Sequence, residues 1–221
     1  MGKKAETLTE GHKEKLRNQI IIGARNYKKY LMNKVFLIVC EDGLEYEVRF
    51  FKCDYKHLTG IISNLNDDDF FEYCVNAKID KGNIDTNQKY DWGTLKKKGR
   101  IIQSIQDLLY KDDQKTLLLE ALDTNTYVFP VALKDIANDI CVGFVSHIHK
   151  ARSLRRAKNS NNAKAEKKVI AILAKRNDAA VFNELVYLSN VRGVYEKNAL
   201  LIEKMDETIM MRFMEILTRP E

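Results

Sequence analysis

Two short stretches of this chain carry side chains that could do chemistry together. The first is Tyr55-Lys56-His57-Leu58, where His57 follows an amphipathic strand pattern and opens a short helical one. An imidazole in that place titrates near neutral pH and can act as a general acid or base. The same residue could instead cap the helix or satisfy a core contact. The second stretch is Lys150-Ala151-Arg152-Ser153-Leu154-Arg155-Arg156, where the Ser153 hydroxyl stands between the guanidinium groups of Arg152 and Arg155. Arginine offers forked, permanently charged donors that cradle a phosphate. Such donors also stabilise the extra negative charge of a pentavalent phosphate transition state. With a histidine base these parts suffice for metal-free RNA cleavage. The base takes the proton of a ribose 2′-hydroxyl, which attacks the adjacent phosphate while Arg152 and Ser153 hold the oxyanion. About a hundred residues separate His57 from Ser153, so only the fold can bring them together.

Other chemistry finds less support. His12 lies in a polar N-terminal stretch. His147 and His149 are two apart and could share a face, but no HExxH array or DxDxDG loop accompanies them, so no metal site is expected. The phosphate-loop, dinucleotide and nucleophile-elbow motifs GxxxxGKS, GxGxxG and GxSxG are absent. Asp67, Asp68 and Asp69 could gather a divalent ion, or form the acidic first turn that a helix dipole favours. Cys40, Cys53, Cys74 and Cys141 form no CxxC pair and read as buried, reduced thiols. No cofactor is implied.

Charge points to a partner. Residues 147–176 hold ten Lys and Arg against one acid, Glu166, a surplus of nine in a chain whose net charge is +6. Clustered cations attract a polyanion, and a phosphate backbone rewards them through counterion release. RNA is the expected ligand, with Lys150, Arg155, Arg156, Lys158, Lys175 and Arg176 as candidate contacts. A solvated loop without a partner is the plain alternative. A membrane surface fits less well, since the run lacks Trp or Phe to anchor it. The N-terminus resembles no signal peptide and no apolar run reaches membrane-spanning length, so a cytoplasmic protein is expected.

The elements that must position these residues follow from periodicity. Helical spacing runs from Thr9 to about Asn33. Val35–Cys40 and the alternating stretch through Phe50 flank Asp42-Gly43, the signature of a β-hairpin. Asp54 is a plausible cap for the short helix of His57, and a second helix is expected over Phe70–Ala77. Residues 78–93 read as a loop and Leu95–Leu109 as a helix. Short strands are expected at Leu117–Leu119, Tyr127–Leu133, Ile140–Val145, Val169–Leu173 and Val181–Leu188. The basic stretch divides into a strand exit, a mobile loop over 157–168 and a strand with charges only at its end. From Val194 to Ile216, apolar residues recur every three or four positions, which predicts one long amphipathic helix. The sum is an α+β protein in three parts: a polar tail over 1–17, a domain over 18–190 and a closing helix over 191–221. Met205, Met210 or Met211, and Met214 would suit that helix to an antitoxin-like or other protein partner, or to a homodimer. Packing on the open face of the sheet is the alternative.

The order of these pieces resembles a phage-associated family of barnase/EndoU/colicin/RelE-like (BECR) nucleases. The residues that carry the resemblance are the hairpin with Tyr55-Lys56-His57-Leu58-Thr59-Gly60, the late strand Ile140–Val145, and Arg152-Ser153-Leu154. The strand that ends in Lys175 and the closing strand with Tyr187 add to it. The match covers about Asn18 to Asn190. The resemblance implies N-terminal helices before a curved antiparallel sheet whose face holds the active site, and metal-independent ribonuclease action as a toxin or in phage–host conflict. It implies His57 as general acid/base and Arg152-Ser153 as the phosphate-binding pair, with Lys175 and Tyr187 as lesser candidates and His149 as a further one. An inactive relative that binds nucleic acid or a ribonucleoprotein, such as a phage-encoded inhibitor, is the alternative. A DNA-binding regulator is disfavoured, because the cations fall on loops and strand ends instead of one recognition helix.

Overall fold

The computed structural model describes residues 7–85, 90–110, 115–145, 149–189, 191–197 and 199–218. The Thr9 hydroxyl accepts the His12 amide and caps α1 (Glu10–Asn26). The helix then widens into a π-turn over Tyr27–Leu31 that turns Tyr27 and Leu31 inward. Leu8 and Leu16 are buried among otherwise exposed or half-buried neighbours, and the expected tail boundary falls inside α1.

The hairpin forms where its turn chemistry places it. β1 (Lys34–Cys40) and β2 (Glu45–Arg49) flank Asp42-Gly43, and Gly43 takes the left-handed φ of 87° that the turn needs. A 3-10 turn leads to α2 (Tyr55–Thr59). α3 (Asp67–Val75) starts three residues earlier than expected, because its acidic first turn is helical and Asn66 is the cap. α4 (Trp92–Ile102) is followed by a separate 3-10 turn over Ile105–Leu108, so the helix expected over Leu95–Leu109 is broken.

Six more strands follow: β3 (Thr116–Asp123), β4 (Val128–Asp135), β5 (Ile140–Val145), β6 (Lys150–Arg155), β7 (Ala165–Arg176) and β8 (Glu184–Leu188). Their order is β1-β2-β6-β5-β4-β3-β7-β8, and β1 also pairs β7. The extra pairing closes a seven-stranded barrel and leaves β8 as an appendage on β7. This corrects the expected antiparallel sheet in two ways. The sheet closes on itself, and β2 meets β6 in parallel, through the single pair Arg49↔Lys150.

β1 is apolar on both faces because both are covered. Phe36 and Ile38 face the main core, which is shared with α1 to α4. Val35, Leu37 and Val39 face outward, under the C-terminal segment. That segment is three pieces in place of one long helix: α5 (Val191–Lys197), a 3-10 turn over Ala199–Lys204 and α6 (Glu207–Thr218). The break comes at Asp206, whose carboxylate accepts the Ile209 amide and starts α6 afresh. Met205, Ile209 and Phe213 are buried on the barrel, while Met211 is exposed. Burying side chains of this size stabilises by about 1.5–3 kcal/mol each. No helix among the described residues is long and apolar enough to cross a membrane.

Candidate active site

The loop from β2 to α2 is tied down by two buried tyrosines. Tyr27 donates its hydroxyl proton to the Phe51 carbonyl at 2.9 Å, and Tyr55 donates to the Ile20 carbonyl at 2.6 Å. Gly60 ends α2 with a left-handed φ of 74°, its N–H donating to the His57 carbonyl. His57 is thereby held on a short rigid element between a buried face and an open one. Its Nε2 stands 3.8 Å from the Asp67 carboxylate. Partial burial and then the positive charge of Arg152 hold the imidazole below its usual range, against the pull of Asp67. His57 is therefore neutral at pH 7 and able to accept a proton.

Arg152 reaches this place through an irregularity in β6. Ser153 pairs Gly143 and Ala151 pairs Phe144, so Arg152 is the extra residue of a bulge. A bulge re-aims the side chain it carries. Without it Arg152 would share the inward face of Leu154. With it Arg152 is exposed and Ala151 is buried. Arg152 and Lys150 both act on Asp54, a carboxyl only 1% exposed, which burial raises and the two cations pull down. Neither Arg152 nor Lys150 makes a side-chain hydrogen bond or ion pair among the described residues. Two uncommitted cations beside a neutral imidazole form a site suited to a phosphate.

Ser153 takes the other direction. It is half-buried in an adjoining cavity that also holds Arg155, Lys98 and Tyr90. Tyr90 also lines the groove beside His57. The structure thus sets Arg152 beside His57, with Ser153 next door, and no hydrogen bond joins Ser153 to His57.

The remaining candidates are dispersed. Arg156 is ion-paired to Asp139, and the Lys158 amide also donates to Asp139. Residues 157–168 are no mobile loop: 157–159 form a 3-10 turn, Ser160 is buried and β7 begins at Ala165. Lys175 donates to the Ala180 carbonyl at 2.8 Å and lies over the Phe182 ring. Arg176 forks onto Asp178 at 3.1 and 3.0 Å. Both stand three strands from β6. Tyr187 lies on β8 opposite Ile172, in a groove with Arg212 of α6. His149 bonds through Nδ1 to the Glu47 carbonyl at 3.0 Å, at the seam between β2 and the residues entering β6. His147 lies outside the described residues. Among the described residues no group of three His, Cys, Asp or Glu is placed to hold a metal. Cys53 is exposed, unlike the other three thiols, which are buried as expected.

Lys98 escaped the reading of the sequence. It is only 9% exposed and donates to the carbonyls of Leu154 at 2.9 Å and Leu58 at 3.4 Å. It joins α4 to the free edge of β6 and the end of α2. Burial, with help from Arg155, lowers its ammonium to about 8. The signal was its place on the helix: Leu95, Lys98 and Ile102 share a face, although the run Lys96-Lys97-Lys98 reads as solvated.

A family model for phage-Barnase-EndoU-ColicinE5/D-RelE-like nuclease 4 matches residues 19–190. No curated protein and no solved structure matches the chain.

Proposed function

The chain belongs to this family of nucleases, and on that premise we propose that it cleaves RNA without a metal ion. The observation that carries the reading is a neutral His57 beside the uncommitted cations of Arg152 and Lys150. His57 takes the proton of a ribose 2′-hydroxyl. The 2′-oxygen bonds to the adjacent phosphorus, and the bond from phosphorus to the 5′-oxygen breaks. That oxygen leaves with a proton from water, so the products are a 2′,3′-cyclic phosphate and a 5′-hydroxyl. Arg152 and Lys150 offset the charge that builds on the phosphate oxygens. The Ser153 hydroxyl donates from the adjoining cavity, and the buried Asp54 carboxyl feels both cations without pairing to either. Such an enzyme would work as a toxin-like agent in phage or mobile-element conflict, in the cytoplasm, and a neutralising protein partner would suit it.

Labelled RNA incubated in EDTA with the purified protein tests the reading. Cleavage should persist under chelation and leave cyclic phosphate ends. His57→Ala should lower it by about 10²- to 10⁴-fold. Cleavage that needs a divalent ion, or that His57→Ala leaves intact, sinks the mechanism. Binding without cleavage, weakening steeply as salt rises, would instead mark an inactive binder of RNA or a ribonucleoprotein.

A further inference from the structure

The cavity beside Ser153 is larger than the catalytic step requires. Its volume is about 260 Å³, near the lower end of small-molecule clefts at about 300–1,000 Å³. Its floor depends on Gly143. The Phe129 ring lies so close across β5 that a Cβ at Gly143 would stand 2.7 Å from it. A glycine in a strand interior marks such an approach. One wall is Tyr90, whose ring has the Lys98 ammonium 5.3 Å from its centroid and packs against Gly60 at the end of α2. The charged side chains of the lining are cationic, with Lys97, Lys98 and Arg155 beside the Ser153 hydroxyl, and among the described residues no carboxylate lines the space. The Arg155 head makes no ion pair among the described residues. Lys98 uses two carbonyl acceptors for its three N–H groups. An aromatic wall and apolar floor beside unneutralised cations match a planar ring joined to a phosphate.

We propose that this cavity binds one nucleotide of the RNA strand, next to the phosphate held at His57, with the base against Tyr90 and a phosphate on Arg155 and Lys98. Its role as a substrate subsite rests on the nuclease reading, whereas nucleotide binding itself does not. Because Tyr90 lines both spaces, a nucleotide seated there continues directly into the groove at His57. The cavity holds a single nucleotide, so it selects for what flanks the cut and not for a long sequence.

Amide NMR titration with adenosine, guanosine, cytidine and uridine 5′-monophosphates tests this, with inorganic phosphate as the control. These ligands are not substrates, since they contain no phosphodiester. Shifts at Ser153, Arg155 and Gly143 are expected, with inorganic phosphate binding about tenfold more weakly. Tyr90→Ala should weaken nucleotides by about tenfold through lost stacking. Arg155→Ala should do so by a similar factor through a lost charge-assisted bond, and Lys28→Ala, at an exposed position of the π-turn, should change nothing. Inorganic phosphate binding as well as any nucleotide overturns the proposal. So do shifts confined to α2, or no shift up to ~10 mM, weaker than any useful subsite. Nucleotide binding lost in Tyr90→Ala, in a protein that cuts no RNA, keeps the pocket and removes the nuclease reading. RNA cleavage without pocket shifts does the reverse.

Discussion

The two ends of one basic stretch meet different fates. At β6, Lys150, Arg152 and Arg155 keep their charged heads uncommitted among the described residues, around a site with a neutral imidazole. At the end of β7, Lys175 and Arg176 are spent on their own turn, on the Ala180 carbonyl, the Phe182 ring and Asp178. Between them Lys167 is held by Asp42 and Glu120. The residue types are the same throughout. What differs is whether a local acid or carbonyl already pairs with the charged head; the buried Asp54 acts on Lys150 and Arg152 but forms an ion pair with neither. Net charge therefore overstates the ligand surface of this protein: among the described residues the β6 cations are free to meet a phosphate beside His57, and those at the end of β7 are not.

That contrast can be broken most sharply by activity. Arg152→Ala should lower RNA cleavage by about 10²- to 10³-fold, the usual loss for a transition-state donor. Arg176→Ala should stay within about twofold, because an exposed ion pair contributes little. Equal effects in the two variants would erase the distinction.

Stability separates the same regions next. Lys98 supports the β6 edge at a cost, since burial lowers its ammonium from 10.5 to about 8. Between those values the unfolded chain holds a proton that the folded chain lacks. This group's contribution therefore rises as pH climbs from about 8 to 10.5, by ~3 kcal/mol at most. Urea unfolding at the two ends of that window should show wild type gaining on Lys98→Met. Tyr27 and Tyr55, which burial raises, act in the opposite sense above their usual range and cancel in the difference. At the other end, Lys175→Met should cost ~1 kcal/mol from one hydrogen bond and one cation–π contact. It should leave cleavage unchanged.

The smallest effect is a shift of the pH profile. Cleavage should fall on acidification through a limb below the usual histidine range, as His57 takes up a proton. In Arg152→Ala the limb should move upward, because the cation that opposes protonation is gone. A limb that stays in place would show that the two groups are not coupled.

Local chemistry made part of this fold legible. The hairpin at Asp42-Gly43 and the α2 helix at His57 depend on turn residues and caps within a few positions. β6 was harder to see, because Lys150–Arg155 has a polar edge and a bulge that breaks its alternation, so it read as a strand exit. The C-terminal break at Asp206 was hidden because helical spacing runs straight through a 3-10 turn. The long β7 was seen only at its apolar centre, since its first half is half-exposed and pairs with β3. The candidate site was legible as residues and illegible as an assembly. His57 and Arg152 stood out, but the divergence of Ser153 and the burial of Lys98 and Asp54 depend on contacts far along the chain.

The single pair joining β2 to β6 has a kinetic meaning as well. The β1–β7 seam is zipped along seven residue pairs, whereas Arg49↔Lys150 stands alone. Beyond Lys150 the outer edge of β6 relies on Lys98 and on α2 in place of a neighbouring strand. Amide hydrogens of β6 should exchange with solvent faster than those of β1, and the barrel should unzip first along this line. The bulged strand that carries Arg152 is thus the stave most easily lifted, next to the helix that carries His57.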